Sequence, residues 1–219
     1  MIPAWFDVGV LTFVTVLLAI WLVRRVIRLI EPRGTVGFAV TALLVVAAAF
    51  LVSLGFEVRH QVAQAQATAV VRDLTGNPDA HAACQRFTPD LLDLSQNAGS
   101  VQWDSPNVAL LRRATCNDFF SWLTSRKTEP TLDQVTAVHI VVHEAVHVAG
   151  EYSEAITECT AIQNDARAAE HLGATPADAQ ALARMYYEQV YPHVHPDYRS
   201  GGCGEDGPLD LSPGDGRFP

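Results

Sequence analysis

Positive charge is scarce in this sequence of 219 residues. Its 15 lysines and arginines face 24 aspartates and glutamates, and Lys127 is the only lysine. From residue 57 onward, 22 acidic residues accompany 11 basic ones. A surface with this balance repels the phosphate backbone of nucleic acid and the headgroups of anionic lipids. The composition therefore argues against a nucleic-acid partner and against docking on an anionic membrane surface.

Cysteine is also sparse, with four residues and no Cys-x-x-Cys pair. That pair is typical of zinc held by thiolates, so a cysteine-bound zinc ion is not expected. An even number of cysteines fits a disulfide framework. Four cysteines allow three pairings. Their order along the chain favours Cys84–Cys116 with Cys159–Cys203, and free buried thiols are the alternative.

Charge is nearly absent from two stretches near the start of the chain. Residues 5–23 carry only Asp7, and residues 36–56 carry no charge. Each stretch is long enough to cross a lipid bilayer as a helix. We predict a two-helix transmembrane hairpin over residues 1–56 and a second domain over residues 57–219, which makes the protein a multi-pass protein of the cell membrane.

The charges between the two stretches predict the orientation of this hairpin. Four arginines lie there with a single acid, namely Arg24, Arg25, Arg28, Arg33 and Glu31. Basic loops stay on the cytoplasmic side, so both chain ends and the second domain are expected outside the cytoplasm, where disulfides persist. The first stretch lacks the basic start of a cleaved signal peptide, which favours a retained anchor.

The central motif of the second domain is His143-Glu144-Ala-Val-His147. On a helix, two histidines four residues apart share one face and can bind one metal ion. Zn²⁺ suits two imidazoles and a carboxylate with one position left open, and Glu144 could take a proton from water there. Gly150 is a helix stop, and Ser153 is an N-cap for a new helix, so the chain is expected to turn back on itself.

The expected reversal of the chain between these two helices predicts the third ligand. In an antiparallel pair of helices that places His147 opposite Glu154, His143 comes opposite Glu158. We assign Glu154 as the third metal ligand and Glu158 as the acceptor for the second ring nitrogen of His143. The reverse assignment, with Glu158 on the metal, stays open.

The segment of residues 138–163 resembles the gluzincin group of zinc metallopeptidases. The resemblance lies in His143-Glu144-x-x-His147 followed by Ser-Glu154-Ala-Ile-Thr-Glu158. It implies a zincin-like domain that hydrolyses peptide or protein substrates, with Glu144 as general base. Peptidases of this group usually offer an edge strand that pairs with the substrate, and this sequence does not identify one. The loop before Glu154 is shorter than is usual in that group. The alternative function is a non-catalytic, metal-stabilised envelope protein that binds a partner.

Several neighbouring side chains are candidates for supporting roles. His139 lies one helical turn before His143 and is expected as a substrate contact, an alternate ligand or a hydrogen-bonded neighbour of the site. Asp165 is expected to be exposed or hydrogen-bonded rather than a ligand. Four residues could donate a hydrogen bond to a developing oxyanion: Tyr186, Tyr187, His193 and His195.

The remaining sequence predicts a mostly α fold. Helices are expected over residues 57–74, 107–125 (one or two helices), 131–149, 154–172 and 176–190. Residues 77–106 are expected to be largely irregular, with room for a short helix at 89–94 and a short strand at 100–103. The tail from Ser200 is expected to be irregular, and a Cys159–Cys203 bridge would hold it near the metal as a lid or cleft wall.

Overall fold

The computed structural model describes residues 8–30, 36–86, 98–102 and 104–219. Its elements are α1 (Val10–Ile30), α2 (Val36–Thr75), β1 (His81–Cys84), β2 (Gly99–Val101), β3 (Val108–Leu111), α3 (Arg113–Leu123), α4 (Leu132–Val148), α5 (Glu154–His171) and α6 (Pro176–Gln189). They form two compact units, one over residues 6–61 and one that holds residues 62–219. The short helix predicted at 89–94 lies outside the described residues, as do Trp103 and the predicted loop residues Glu31 and Arg33.

The first unit contains α1 and the beginning of α2, and both helices are long and apolar enough to cross a membrane. Many of their apolar side chains are exposed, as lipid-facing side chains of a membrane helix are. The two helices are joined by polar contacts. The hydroxyl groups of Thr15 and Ser53 lie 2.6 Å apart, and Thr12 donates to the carboxylate of Glu57 at 2.8 Å. Such hydrogen bonds hold neighbouring helices together where apolar side chains give no preference for one another.

The predicted boundary at residue 57 is not a break in the helix. The sequence predicted a membrane segment over residues 36–56 and a separate helix over 57–74, whereas α2 runs without interruption from Val36 to Thr75. At Glu57 the side chains of α2 change from apolar to polar. This change affects which surroundings the helix favours, but it leaves the helical conformation of the backbone intact. No proline interrupts this stretch, and its many alanines and glutamines favour the helical state.

The second unit contains a small sheet that the sequence did not predict in full. Its strand order is β1-β3-β2, with β1 parallel and β2 antiparallel to β3. The prediction of helix from residue 107 was wrong for β3, which is a strand over Val108–Leu111 before α3 begins at Arg113. The sequence of β3, Val-Ala-Leu-Leu, suits a helix or a strand equally, so its pairing with two neighbours decides its conformation.

The two edges of this sheet are treated differently. Along β1, the side chains of α2 take the place of a neighbouring strand. Gln64 accepts a hydrogen bond from the backbone N–H of Cys84 at 2.9 Å, and Thr68 accepts one from Ala82 at 3.1 Å. On the other side of the sheet, no strand among the described residues pairs with the outer edge of β2. A strand with an open edge can receive an extended peptide.

Helix α4 lies in the core of the second unit. Thr131 and Gln134 form a capping box at its start. At its end, Gly150 has a φ of 106°, and the N–H groups of Gly150 and Glu151 donate to the carbonyls of His147 and Val146. This pair of bonds is a Schellman motif, which suits glycine at the left-handed position. The chain then turns directly into α5, whose N-cap is the predicted Ser153.

Two disulfides tie loops to this core. Cys84 at the end of β1 is bonded to Cys116 in α3, and Cys159 in α5 is bonded to Cys203 in the tail. Both are the pairs favoured from the order of the cysteines. All four cysteines are buried, so each bridge is continuous with the apolar core.

Replacing Cys84 and Cys116 together by alanine is expected to destabilise the second unit. The bridge joins residues with a sequence separation of 32, and a disulfide that closes a loop of that length stabilises a fold by about 3–4 kcal/mol. The thermal unfolding midpoint of the oxidised full-length chain should fall by about 6–15 °C. The wild-type chain assayed under reducing conditions is the control. An unchanged midpoint in the double variant would show that the bridge does not constrain the unfolded chain.

Candidate metal centre

Three potential metal-ligand atoms converge where α4 meets α5. Nε2 of His143 lies 3.1 Å from Nε2 of His147 and 3.1 Å from Oε2 of Glu154, and Nε2 of His147 lies 3.2 Å from the same oxygen. In a tetrahedral site with bonds of about 2.0–2.1 Å to zinc, neighbouring ligand atoms stand about 3.3–3.4 Å apart. The three atoms therefore have the spacing of one face of such a tetrahedron, and a fourth corner remains for another ligand.

The turn between α4 and α5 brings both predicted pairs of histidine and glutamate together. While Glu154 faces the Nε2 atoms of both histidines, Glu158 approaches His143 from the other side of its ring, with Oε2 2.9 Å from Nδ1. A metal ion cannot use both nitrogens of one imidazole. His143 therefore serves one of two groups that could hold a metal ion: His143, His147 and Glu154 through its Nε2, or His139, His143 and Glu158 through its Nδ1.

The second nitrogen of each histidine is held by an acceptor. Nδ1 of His147 lies 2.7 Å from the backbone carbonyl of Glu151. Because a carbonyl only accepts, Nδ1 of His147 carries the proton, and its Nε2 presents a lone pair. Glu158 favours the same tautomer of His143. Two lone pairs and a carboxylate oxygen then face one another, and this arrangement is repulsive unless a cation or a proton lies between them.

A proton competes with a metal ion for this position. Burial alone would lower the pKa of His143, but hydrogen bonds to Glu154 and Glu158 raise it. Hydrogen bonds from His143, together with the charge of both histidines, lower the pKa of Glu154 despite its partial burial. Affinity for a metal ion should therefore fall as the pH falls, since the ligands must be deprotonated to bind it.

Behind His143 lies a buried chain of charged groups. Oε2 of Glu158 lies 3.1 Å from Nε2 of His139, and Nδ1 of His139 lies 2.8 Å from Asp165. Tyr186 donates to the other oxygen of Glu158 at 2.6 Å, and its ring stacks on that of His139 with centroids 3.5 Å apart. All four of these residues are at most 3% exposed. His139 is thus a hydrogen-bonded neighbour of the site, as one of its predicted roles had it, and Asp165 is hydrogen-bonded but fully buried.

Electrostatics favour a positive charge on His139. Burial alone would lower the pKa of His139, but the carboxylates of Asp165 and Glu158 raise it to about 10. For Glu158, burial alone would raise the pKa, because it disfavours the charged carboxylate. The charge of His139 and the hydrogen bonds that Glu158 accepts hold this pKa well below its usual range instead. An imidazolium between two carboxylates satisfies both of its N–H donors, which a neutral ring could not do.

Glu144 stands apart from this chain of hydrogen bonds. It is 5% exposed, and its Oε2 has no hydrogen-bond partner within the described part of the protein. Burial raises the pKa of Glu144 to about 7. A carboxylate that is poorly solvated and has a pKa near neutrality is suited to accept and return a proton.

A cleft of about 320 Å³ opens onto this carboxylate. Its lining comes from α4, α5 and α6, from the start of β2, and from a segment of residues 191–198 that we call the strap. Five residues of this lining were not among the predicted site residues, namely Ala98, Gly99, Ile140, Val194 and Tyr198, and two of them lie close to predicted site residues. Gly99 of β2 meets Glu144 side on, and Tyr198 of the strap lies with its ring centroid 5.7 Å from that of His143. Nothing in the local sequence marks either one, because each reaches the cleft through distant pairing.

The four predicted oxyanion donors have different fates. Tyr186 is committed to Glu158, and Tyr187 donates to the carbonyl of Cys203. His193 is exposed and does not line the cleft, whereas His195 does. Among these four, Tyr186 and His195 line the cleft, and only the hydroxyl of Tyr186 is already engaged by a buried carboxylate.

The disulfide between Cys159 and Cys203 attaches the tail to the helix that carries Glu158. The sequence predicted that this bridge would hold the tail near the metal as a lid or a cleft wall. The prediction of a cleft wall was wrong for the residues after Cys203, since the last residue that lines the cleft is Tyr198 of the strap. The tail packs beside α5 instead, where Gln163 donates to the carbonyl of Leu209 at 2.9 Å. Its acidic side chains (Glu205, Asp206 and Asp210) accept backbone N–H groups of the tail itself.

The chain matches no protein-family model, and it has no significant match among curated proteins or among solved structures. The chemistry of the centre therefore has to be inferred from the geometry of its own residues.

Replacing His139 by glutamine is expected to destabilise the metal-free protein by about 3–5 kcal/mol at pH 7, since it leaves two buried carboxylates without their cation. The folded-state pKa of His139 is raised, so its contribution is fully present below about pH 6.5. It is lost as the pH rises towards about 10, by at most about 1.4 kcal/mol per pH unit. Thermal unfolding of wild-type and variant chains in the presence of a chelator, at pH 7 and pH 9, measures this.

The stability gap between the two proteins should be smaller at pH 9 than at pH 7. His193→Gln, which changes an exposed histidine, is the matched control and should leave both midpoints unchanged. A gap that does not depend on pH would contradict the charge assigned to His139.

Proposed function

We propose that this protein is a membrane-anchored, zinc-dependent metallohydrolase that cleaves peptide bonds outside the cytoplasm. One observation carries the proposal. Glu144, a buried carboxylate whose Oε2 has no hydrogen-bond partner in the described part of the chain, lies on the same helix as His143 and His147, and the Nε2 atoms of these histidines lie 3.1 and 3.2 Å from Oε2 of Glu154. A structural zinc site is closed by four protein ligands, whereas three ligands with an open position, an available base and a cleft beside them suit hydrolysis.

Zinc is the metal that suits the donor set best. Two imidazole nitrogens and one carboxylate oxygen, with the spacing of a tetrahedral face, are typical of catalytic zinc sites that keep a position open. His143, His147 and Glu154 would hold the ion. When bound, it would supply Lewis-acid polarisation of the scissile carbonyl and a lower pKa for the attacking water.

Glu144 has the proton-transfer role in this proposal. The oxygen of a water molecule bonds to the carbonyl carbon while one of its protons passes to the carboxylate of Glu144. As the C–N bond breaks, Glu144 returns that proton to the leaving amine, so the carboxylate is regenerated. A pKa of about 7 for Glu144 suits both transfers at neutral pH, because the carboxylate can then accept a proton and the carboxylic acid can give it back.

The surroundings of Glu144 fit an extended peptide as substrate. No strand in the described part of the chain pairs with the outer edge of β2, and Ala98 and Gly99 at its start line the cleft. A peptide that adds to this edge would present its carbonyl groups at regular intervals along the strand. Tyr198 and His195 line the same cleft and can donate to a carbonyl oxygen there. The resemblance of residues 138–163 to gluzincin peptidases supports the same substrate class.

The proposed location follows from the charges and the cysteines. Three arginines (Arg24, Arg25 and Arg28) end α1, and basic residues stay on the cytoplasmic side of membrane helices. This orientation puts the end of the chain outside the cytoplasm. Two disulfides in the second unit support the same side, because disulfides persist in oxidising compartments.

Glu144→Gln is the substitution that tests this function. It preserves the shape of the side chain but removes its basicity, so the variant should keep its zinc while its peptide turnover falls by about 10²–10⁴-fold. Turnover is measured with a library of fluorogenic peptides and the purified full-length chain in detergent, and zinc by elemental analysis. Glu170→Gln, an exposed position on α5, is the control and should retain full turnover.

Equal turnover in wild-type and Glu144→Gln chains would exclude Glu144 as the base. A wild-type chain that binds zinc yet cleaves no peptide would favour the other function considered, a non-catalytic, metal-stabilised envelope protein that binds a partner.

A further inference from the structure

Gly99 occupies a position where any other side chain would collide with Glu144. A Cβ atom placed on Gly99 would lie 2.6 Å from Oε1, 2.7 Å from Cγ and 2.9 Å from Cδ of Glu144. All three distances are shorter than real side-chain contacts. The side chain of Glu144 thus fills the space that a side chain at residue 99 would occupy.

The conformation of the backbone does not explain this glycine. Gly99 is the first residue of β2 and pairs with Leu111 of β3, and the left-handed φ values of the protein fall at other glycines, among them Gly150 and Gly173. A glycine in a strand has no side chain to pack and costs conformational entropy, so it marks a place where another group approaches the backbone closely. Here the approaching group is Glu144.

The strand is also unable to yield at this point. The carbonyl of Ala98, next to Gly99, accepts hydrogen bonds from the backbone N–H of Arg112 at 3.0 Å and from the hydroxyl of Thr115 at 2.9 Å. Together with the ladder to β3, these bonds pin the start of β2. A side chain added at residue 99 would therefore displace Glu144 rather than the strand.

Glu144 in turn has little else to hold it in place. Its buried Oε2 accepts no hydrogen bond within the described part of the protein. Its position is therefore set by the rotamer of its own arm and by what the arm packs against. A carboxylate that must reach one water molecule is sensitive to such packing, since a misplacement of about 1 Å can reduce a rate by about 10²-fold.

We propose that Gly99 is a positioning residue for the reaction, which holds the carboxylate of Glu144 at the cleft by leaving room for its arm beside the edge strand. This inference rests on the proposed function. It adds that β2 sets the geometry of the proton acceptor, and that the size of residue 99 decides whether the base is in reach of its water.

The first measurement is steady-state kinetics of the full-length Gly99→Ala variant with the best peptide of the library. The variant is expected to bind zinc as the wild type does and to keep its KM within about threefold, while kcat falls by about 10²-fold. Gly201→Ala is the matched control, because a Cβ there meets nothing within 4 Å, and it should retain wild-type kinetics.

The second measurement needs no turnover. In metal-free protein, Gly99→Ala should lower the thermal unfolding midpoint by about 3–10 °C, because the new methyl group overpacks the arm of Glu144. In a Glu144→Ala background that arm is gone, so the same substitution should change the midpoint by less than about 2 °C. The difference between the two backgrounds reports the contact between residues 99 and 144 directly.

The outcomes separate this inference from the proposed function. An active wild-type chain whose Gly99→Ala variant keeps its kcat would overturn the positioning role and leave the peptidase standing. The same loss of thermal midpoint in both backgrounds would also overturn it, since the strand rather than Glu144 would then be disturbed. A zinc-loaded wild-type chain without turnover would overturn the proposed function, and the positioning role with it.

Discussion

The second unit depends on one electrostatic constraint, the convergence of three electron-pair donors on a single point. Nε2 of His143, Nε2 of His147 and Oε2 of Glu154 lie within 3.2 Å of one another. Two further contacts prevent these groups from turning away. The carbonyl of Glu151 holds one ring by its Nδ1–H, and the carboxylate of Glu158 holds the other. A cation at the centre relieves the repulsion, which is why this cluster makes physical sense as a metal site.

The turn between α4 and α5 makes this convergence possible. Gly150 ends α4 in a left-handed conformation, and the backbone then supplies both the carbonyl of Glu151 for His147 and the N-cap Ser153 for α5. The same few residues therefore end one helix, orient a ligand and begin the helix that carries Glu154. A shorter or longer connection would change the pairing of α5 with α4 and separate the histidines from the glutamates.

The buried charges behind the site have a different role. Asp165, His139 and Glu158 are almost entirely removed from water, and buried charges are tolerated only when they are paired and hydrogen-bonded. Each of them is paired within this group. The group keeps a fixed negative charge on Glu158, next to the ring nitrogen of His143 that does not face the other ligand atoms. The side of the His143 ring that faces His147 is thereby left to Glu154.

Local patterns were sufficient to predict α4, α5 and α6 and the two pairs of histidine and glutamate that face each other across the turn. The spacing of His143 and His147, the stop at Gly150 and the cap at Ser153 each depend on neighbours in the sequence, and the pairs with Glu154 and Glu158 follow from them. The strand β3 and the position of Gly99 were not predictable in this way. A run such as Val108–Leu111 takes its conformation from the strands beside it, and Gly99 meets Glu144 only after a sheet has formed across the chain.

The metal content of the purified protein decides whether the converging histidines and carboxylate hold a metal ion. The full-length chain, purified in detergent without chelators, is analysed for bound metal beside the variants His147→Ala and His193→Ala. We expect about one zinc ion per chain in the wild type, its loss in His147→Ala, and its retention in His193→Ala, which changes an exposed histidine outside the cleft. A folded wild-type chain that binds no metal, even when zinc is added, would contradict the account.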